Sequence, residues 1–243
     1  MKGNADIYLV GIGFGPLRQL TADGMLALRN GRIVYHLTRY HEELKKLNEN
    51  TVSLDDVYWT GEVVTVVYER LFRLFIAEIK RGKRVVSVVE GHPLFYDDCH
   101  ARIVRWCKRN RKTCIVVPGV SCLDAISCDL EVDFGVAGLQ VFEASTLVEL
   151  EQTMNPTVHT LLMQAGEFGT DVTPDAVLEI KGMFLPLVSY LTRFYPANHR
   201  AIVCRTEHRG FKKIKFTTRI DRIDHHRKVI CNGTTLYIPP LDS

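Results

Sequence analysis

The sequence has little of several features that would identify common classes of protein at once. None of its apolar runs approaches the roughly 18–20 residues that a membrane-spanning helix needs, and its first residues lack the apolar stretch of a signal peptide. Its seven cysteines contain no Cys-x-x-Cys pair and its nine histidines no His-Glu-x-x-His motif. These absences argue against a disulfide framework and a metal site. We therefore expect a soluble, cytoplasmic chain that holds no metal.

The composition is that of an ordinary folded protein. Hydrophobic residues make up 46% of the 243 residues and charged residues 24%, which excludes long disordered, collagen-like and coiled-coil segments. The length is sufficient for two domains of modest size. The sequence therefore predicts a chain with a substantial core.

Positive charge is concentrated in two segments, although the formal net charge is only +3. Residues 200–228 contain ten Lys or Arg and three Asp or Glu, a local charge of +7. A second cluster consists of Arg102, Arg105, Lys108, Arg109, Arg111 and Lys112. Such clusters are typical of solvated surfaces, and they can also dock an acidic partner by Coulomb attraction. The small net charge gives no reason to expect nucleic acid as a partner, and no membrane partner is expected either.

The first half of the sequence alternates short apolar runs with amphipathic segments. The predicted strands cover residues 6–10, 32–37, 85–89 and 113–117, and the predicted helices cover residues 17–29, 42–47 and 62–81 and the segment after Asp97. The longest helix stops at Gly82, where a C′ glycine is expected. Strands this rich in Val and Ile, separated by helices, indicate a parallel sheet covered on both faces.

The second half contains strand patterns that follow one another directly. The predicted strands cover residues 138–143, 159–164, 199–205, 211–217 and 235–238, and the predicted helices cover residues 147–152 and 174–194. Consecutive strands favour a mixed or antiparallel sheet. The sequence thus predicts two α/β domains, residues 1–130 with a parallel sheet and residues 131–243 with a mixed sheet.

Three turns marked by glycine or proline follow three of the predicted strands in the first half. They are Gly11-Ile-Gly-Phe-Gly15, Gly91-His-Pro93 and Pro118-Gly-Val-Ser121. Ligands of open parallel sheets bind beyond the carboxyl ends of the strands, and glycine there lets the backbone approach a ligand closely. We expect the three turns to form one composite pocket. A nicotinamide dinucleotide fits poorly, because the spacing is Gly-x-Gly-x-Gly and the second strand lacks the acid that would hold a ribose.

These turns resemble the signatures of a known family. Residues 10–21, Val-Gly-Ile-Gly-Phe-Gly-Pro-Leu-Arg-Gln-Leu-Thr, are similar to the first signature of the tetrapyrrole methylases. Gly91-His-Pro93 and Pro118-Gly-Val-Ser-Cys122 stand where that family has Gly-Asp-Pro and Pro-Gly-Val-Ser-Ser. The Gly-His-Pro variant, Phe142-Glu-Ala-Ser145 and Thr235-Leu-Tyr-Ile-Pro-Pro240 most resemble the borosin peptide backbone N-methyltransferases. The resemblance implies two α/β domains with S-adenosylmethionine in the cleft between them, S-adenosylhomocysteine as product, and a homodimer.

The resemblance also assigns roles to particular residues. Tyr58 and Tyr68 stand where borosins have a pair of active-site tyrosines and are the candidates for catalysis. The candidates for donor binding are Gly11, Gly13, Gly15, His92, Phe95, Tyr96 and Ser121 in the first domain, and Ala144, Met163, Gln164 and Thr235 in the second.

Other roles remain open for several of these residues. Each tyrosine can be a packing residue at a helix–sheet contact, and His92 can be a turn residue bonded to backbone. Ser121 can be a plain helix cap, while its neighbour Cys122 is interpreted as a packing residue.

The implied reaction is demanding, because the lone pair of a backbone amide nitrogen is delocalised into the carbonyl. The site must help to remove the amide proton and stabilise negative charge on the carbonyl oxygen. Borosins commonly place an Arg between the two tyrosines, whereas the aligned residue here is Val64.

Because the sequence given ends at Pro240-Leu-Asp-Ser243, we expect no attached precursor peptide. The resemblance then implies the split kind of borosin, which methylates a separate ribosomal precursor peptide and can form a heteromeric complex with it. Two alternatives are a methyltransferase of a tetrapyrrole or other small molecule, and a donor-binding protein without turnover.

Overall fold

The computed structural model describes residues 5–172, 180–208 and 210–241, which fall into two compact units. The first unit is Met1–Ala125 with His208–Gly210, and the second is Ile126–Glu207 with Phe211–Ser243. The division lies inside the helix Cys122–Leu130, and the predicted boundary after residue 130 lies at the end of that helix. The boundary and the cleft between the domains stay predictions.

A five-stranded parallel sheet forms the centre of the first unit. Its elements in chain order are β1 (Ile7–Gly11), α1 (Ala22–Asn30), β2 (Ile33–Leu37), α2 (His41–Leu47), β3 (Thr51–Ser53), α3 (Asp55–Tyr58), α4 (Val64–Lys80), β4 (Val85–Val89), α5 (Asp98–Arg109) and β5 (Cys114–Val117), with α6 (Cys122–Leu130) crossing into the second unit. The strand order is β3-β2-β4-β1-β5, and every pair is parallel.

Helices cover both faces of this sheet. Ile7 and Leu9 of β1 pack into a cluster with residues of α4 and α5, while Tyr8 and Val10 pack into a second cluster with residues of α1 and α2. Successive side chains of a strand point to opposite faces, so a strand buried on both faces must be apolar throughout. This burial explains the runs of Val and Ile in the sequence.

Helix α4 closely follows its predicted course. Val67, Leu71, Phe75 and Ile79 are buried at helical spacing along one face. Gly82 has φ of 72°, and its N–H donates to the Ile79 carbonyl oxygen at 3.0 Å. The left-handed conformation favours glycine, so the predicted stop at this residue is confirmed.

The second unit contains a mixed five-stranded sheet. Its elements are β6 (Leu139–Glu143), α7 (Ala144–Glu149), β7 (His159–Met163), a 3₁₀ turn (Ala165–Glu167), α8 (Leu185–Leu191), β8 (Arg200–Arg205), β9 (Ile214–Arg219), a second 3₁₀ segment (Ile220–His226) and β10 (Thr235–Ile238). The order is β6-β7-β10-β8-β9, with β6 and β7 parallel and the other pairs antiparallel. The predicted fold class, with one parallel and one mixed sheet, is confirmed.

Several boundaries differ from the prediction for local reasons. Helix α1 begins at Ala22 and not at residue 17, because Leu17 has the left-handed conformation, with φ of 57°. The Thr21 hydroxyl then caps the helix by accepting a hydrogen bond from the Gly24 N–H at 3.1 Å. Strand β3 and helix α3 were not predicted, since neither is long enough to show a period. Of the predicted helix over 174–194, Leu185–Leu191 is helical, while residues 174–179 lie outside the described residues.

Among the helices of the described ranges, none combines the length and apolar character needed to cross a membrane.

Candidate functional site

The structure brings the three predicted turns together at the carboxyl edge of the parallel sheet. They follow β1, β4 and β5, which are neighbours in the sheet. A Cβ on Gly11 would lie 2.3 Å from the Gly91 carbonyl oxygen and 2.8 Å from the Gly119 nitrogen. A Cβ on Gly119 would lie 2.5 Å from the same Gly91 oxygen. Because each of these contacts is with backbone, a side chain at Gly11 or Gly119 would force the turns apart.

Hydrogen bonds fix the first turn against the second. Gly13 donates its N–H to the Gly91 carbonyl at 3.3 Å, and Gly91 donates back to the Gly13 carbonyl at 3.0 Å. The Phe14 N–H donates to the Gln19 side-chain oxygen at 2.7 Å. Gly15 has φ of 125°, and a Cβ there would meet no described atom within 4 Å. The turn is therefore closed on one side by backbone and open at Gly15.

The Gly-His-Pro turn holds its own residues in place. His92 accepts a hydrogen bond from the Leu94 N–H at Nδ1, at 3.1 Å, which supports the turn role for this residue. Phe95 and Tyr96 meet edge to face with ring centroids 4.9 Å apart, and Tyr96 is left-handed at φ 56°. A non-glycine residue in that conformation marks a constrained loop.

Ser121 is used as a helix cap. Its N–H and its hydroxyl both donate to Asp124 Oδ2, at 2.8 and 2.9 Å, and its hydroxyl accepts from the Asp124 N–H at 3.3 Å. This reciprocal arrangement is a capping box. Ser121 therefore has the helix-cap role that the sequence left open. Burial raises the pKa of the neighbouring Cys122 thiol to about 12, so the group is protonated at neutral pH and behaves as a packing residue.

The two candidate catalytic tyrosines form a pair. Tyr58 ends α3, Tyr68 lies in the second turn of α4, and their ring centroids are 6.3 Å apart. Burial, the neighbouring Tyr58, the Asp97 carboxylate and a hydrogen bond with Tyr58 all raise the pKa of Tyr68 far above its ordinary value. Tyr68 therefore keeps its proton at neutral pH and can act as a hydrogen-bond donor.

A buried Asp–His–Ser chain lies next to this pair, and of its members the sequence analysis named only Asp97, as the residue before a predicted helix. His100 Nδ1 lies 2.8 Å from Asp97 Oδ2 and 3.2 Å from the Pro93 carbonyl oxygen, so this nitrogen carries a proton. His100 Nε2 lies 2.8 Å from the Ser87 hydroxyl. Ser87 and His100 are only 3% and 2% exposed, which excludes a nucleophilic role in the state described. The chain instead ties α5 to β4 and to the Gly-His-Pro turn.

Asp97 is the charged end of this chain. Burial alone would raise the pKa of its carboxyl group, but the adjacent His100 and its hydrogen bonds outweigh burial, so the pKa of Asp97 is lowered. The carboxylate also caps α5 by accepting from the His100 N–H at 2.8 Å. A carboxylate is thus fixed beside Tyr68. The spacing of three residues between Asp97 and His100 is visible in the sequence. The contact between His100 and Ser87 joins a helix to a strand, so the sequence does not reveal it.

In the second unit, the predicted donor-binding residues collect at one edge of the mixed sheet. Ala144 directly follows β6, and Met163 and Gln164 stand at the end of the neighbouring strand β7. Thr235, at the start of the antiparallel β10, lies with its hydroxyl 3.6 Å from the Met163 sulfur. Gln164 is left-handed at φ 53°. The geometry gathers all four residues at this end of the sheet.

Sequence reasoning missed Glu167, which lies on the 3₁₀ turn after Gln164. Its Oε2 atom is covered and has no hydrogen-bond partner within the described chain. Burial raises the pKa of Glu167 to about 7, against an opposing hydrogen bond from the Gly233 backbone. The turn is tightly packed, since a Cβ on Gly166 would lie 1.9 Å from the Cys231 carbonyl oxygen. No motif in the sequence marks this residue.

Comparison with known proteins identifies the family. The profile described as Tetrapyrrole (Corrin/Porphyrin) Methylases matches residues 6–206. Among curated proteins, the chain is 25% identical over 244 residues to the methyltransferase/ribosomally synthesized cyclic peptide dendrothelin A precursor of Dendrothele bispora (strain CBS 962.96), covering 96% of the chain and 57% of that protein. The corresponding omphalotin A precursor of Omphalotus olearius is 25% identical, with the same two coverages. The chain thus spans little more than half the length of these relatives.

Solved structures agree on the fold. The uroporphyrin-III C-methyltransferase of Thermus thermophilus, solved in complex with S-adenosyl homocysteine, is similar with a TM-score of 0.66 and 16% sequence identity, covering 96% of each chain. That identity shows a shared fold alone. Together with the profile match over most of the chain, it confirms the predicted resemblance. The chain belongs to the tetrapyrrole methylase family, whose methyl donor is S-adenosylmethionine.

Proposed function

We propose that this chain transfers a methyl group from S-adenosylmethionine to backbone amide nitrogens of a peptide supplied as a separate precursor. The observation that carries the proposal is the pair Tyr58 and Tyr68 beside the fixed Asp97 carboxylate. The curated relatives, whose names join a methyltransferase to a ribosomally synthesised peptide, support the choice of a peptide acceptor.

Residues of the first unit fit the donor. Gly11 and Gly119 place backbone without side chains where the turns meet, and Gly15 leaves open space beyond them. Such a surface suits a ligand held by backbone groups. In the second unit, Ala144, Met163, Gln164 and Thr235 are the proposed donor-binding residues. When bound, S-adenosylmethionine supplies an electrophilic methyl group on a sulfonium centre.

The tyrosine pair suits the acceptor. Tyr68 keeps its proton because its pKa is raised, so it can donate a hydrogen bond to the carbonyl oxygen of the amide. That bond would stabilise the negative charge that appears on this oxygen as the amide nitrogen loses its proton. Tyr58, the hydrogen-bond partner of Tyr68, would orient the pair, and the amide proton would pass to water as the nitrogen takes the methyl group and the donor leaves as its neutral thioether.

The aligned Arg of borosins has no substitute among nearby arginines of α4. Arg70 is bonded to Glu62 at 2.8 Å, and Arg73 to Glu69 at 2.7 Å, with both guanidinium groups at the surface. Val64 opens the helix and supplies no charge. The proposed site therefore stabilises the carbonyl oxygen with phenol groups, and the Asp97–His100 pair fixes the position of the loop beside them.

The test is methylation of peptides added in trans. Purified chain is incubated with S-adenosylmethionine and a panel of synthetic peptides. The intact masses of modified peptides should rise in one-methylene steps, and fragmentation of these peptides in the mass spectrometer should place each methyl group on a backbone nitrogen. Tyr68→Phe removes the donated hydrogen bond and should lower kcat about 100-fold without changing donor affinity. Tyr35→Phe, the same change in the same hydrophobic cluster, is the matched control and should retain the native rate.

Two results would replace this proposal. Methylation of a porphyrinoid, with no peptide modified, would indicate a small-molecule methyltransferase. Donor binding without S-adenosylhomocysteine formation on any acceptor would indicate a binding protein without turnover. Sedimentation of the purified chain tests the accompanying proposal of a homodimer, and co-purification with a precursor tests a heteromeric complex.

A further inference from the structure

Two neighbouring hollows lie on the outer face of α4 and α5. The first, of about 320 Å³, is lined by Phe72, Arg102, Arg105, Trp106 and Arg109. The second, of about 420 Å³, is lined by Thr65, Val66, Glu69, Arg70 and Arg73. An ion pair between Glu69 and Arg102 joins them. We call the two hollows together the arginine groove.

The arginine groove carries an excess of positive charge, although Glu62 pairs with Arg70 at its margin. Its lining contains five guanidinium groups and one carboxylate. That carboxylate, Glu69, is shared between Arg73, at 2.7 Å, and Arg102. Arg105 approaches the exposed Asp98 at 3.4 Å. Ion pairs between exposed side chains contribute little, so carboxylates of an incoming partner can replace these contacts at small cost.

Apolar surface lies between the charges. The Arg102 guanidinium stacks 4.6 Å over the centre of the Phe72 ring, and Trp106 is only partly buried beside it. Val66, in the second hollow, is 47% exposed. Trp and Arg are among the residues that most often dominate binding interfaces, and the Phe72 ring supports the Arg102 guanidinium from one side. The groove therefore fits an acidic segment that also carries apolar side chains.

The other basic segment, residues 200–228, is less suited to docking because several of its described charges are used within the second unit. Lys213 pairs with the Asp129 carboxylate at 2.5 Å, and Lys215 donates to the Asp129 carbonyl oxygen at 2.9 Å. Arg205 is 8% exposed and donates to the Lys212 carbonyl oxygen and the Cys231 sulfur. The sequence contains both basic clusters, and the structure distinguishes them by the contacts that their charged side chains make.

We propose that the arginine groove docks an acidic, partly apolar segment of the precursor peptide, outside the residues that are methylated. The identity of the partner rests on the proposed function, whereas the chemistry of the docked segment rests on the groove. Guanidinium groups bind carboxylates in a two-point fork, so glutamate and aspartate side chains fit the five arginines. Remote docking of this kind holds the acceptor near the reacting groups and raises the rate at low peptide concentration.

The test compares two double charge reversals in the first unit. Arg105→Glu with Arg109→Glu changes the groove, and Lys45→Glu with Lys46→Glu makes the same charge change on exposed positions of α2. The probe is a short fluorescein-labelled peptide of Asp, Glu, Leu and Phe, and fluorescence anisotropy gives its affinity. We expect binding about tenfold weaker in the groove variant, little change in the α2 variant, and native affinity that falls with added salt. Thermal unfolding of both variants verifies that they fold.

Three results would overturn the docking proposal. The groove variant could bind the acidic probe as well as the native chain does. A single-stranded oligonucleotide could bind more tightly than the peptide through the same arginines. The groove variant could change its sedimentation, which would make this face a contact between copies of the chain.

Methylation assays distinguish failure of the docking proposal from failure of the proposed function. If peptides are methylated with a KM that the groove variant leaves unchanged, the docking proposal fails and the proposed function stands. If the acidic probe binds at the groove but no peptide is methylated, the docking stands and the proposed function fails.

Discussion

Replacing Glu167 with Gln should remove a pH dependence of stability that the second unit contains. Burial raises the pKa of Glu167 to about 7, a hydrogen bond from the Gly233 backbone opposes this rise, and the nearby Glu143 carboxylate adds to it. A carboxyl group with a raised pKa stabilises the folded chain below its ordinary pKa of 4.5. That contribution is lost as the pH rises through about 7, because the unfolded chain then releases the proton more readily.

The size of the effect follows from the two pKa values. A rise from 4.5 to about 7 corresponds to about 3.4 kcal/mol, at 1.36 kcal/mol per pKa unit. The side chain is partly exposed although its Oε2 atom is covered, so solvent screening reduces the effect to about 2 kcal/mol. Between about pH 5 and about pH 8, the stability of Glu167→Gln relative to the native chain should therefore increase by about 2 kcal/mol.

Urea unfolding followed by far-ultraviolet circular dichroism measures this difference. The native chain, Glu167→Gln and Glu149→Gln are unfolded at both pH values, with the exposed Glu149 of α7 as the matched control. Other titrating groups contribute equally to all three proteins and cancel in the comparison. If Glu167→Gln and the native chain lose stability in parallel as the pH rises, Glu167 is not a buried group with a raised pKa and the reasoning is wrong.

Three further substitutions test the first unit. Gly119→Ala places a Cβ 2.5 Å from the Gly91 carbonyl oxygen, so urea unfolding should show a free energy of unfolding lower by about 3 kcal/mol. Calorimetry should show weaker binding of S-adenosylmethionine. Native values in both measurements would contradict the close packing of the turns. His100→Ala leaves the Asp97 carboxylate buried without its partner and should lower the free energy of unfolding by about 3 kcal/mol, an effect that a merely exposed ion pair would not give. Thr21→Ala removes the cap of α1 and should lower thermal stability by an amount equivalent to about 1 kcal/mol, whereas an unchanged melting temperature would mean that the cap is not made.

Much of the fold could be predicted from sequence because the parallel strands are buried on both faces. Tyr8 and Val10 pack into one helical layer and Ile7 and Leu9 into the other, so β1 reads as a continuous apolar run. Short elements escaped prediction for the opposite reason. Strand β3 is an edge strand of three residues, which is too short to show an alternating pattern.

Residue types identified the candidate site where it depends on backbone, and the resemblance to borosins identified the tyrosine pair. Gly11, Gly91 and Gly119 are marked by their residue type, since a Cβ at Gly11 or Gly119 would collide with backbone and Gly91 is left-handed at φ 74°. The contact between Ser87 and His100 joins a strand to a helix, and neither residue type indicates in the sequence which residue it will contact. Such side-chain contacts depend on tertiary packing, which local sequence patterns do not encode.

The mutual contact of the glycine turns also limits how the proposed donor pocket could be redesigned for bulkier alkyl donors. Enlargement usually proceeds by trimming side chains, but Gly11 and Gly119 have none to trim, and moving their main chain would disturb the sheet beneath. Phe14 is different, because its ring lies 3.1 Å from where a Cβ on Gly91 would stand. A library meant to accept ethyl or allyl sulfonium compounds should therefore vary Phe14 and leave the glycines unchanged.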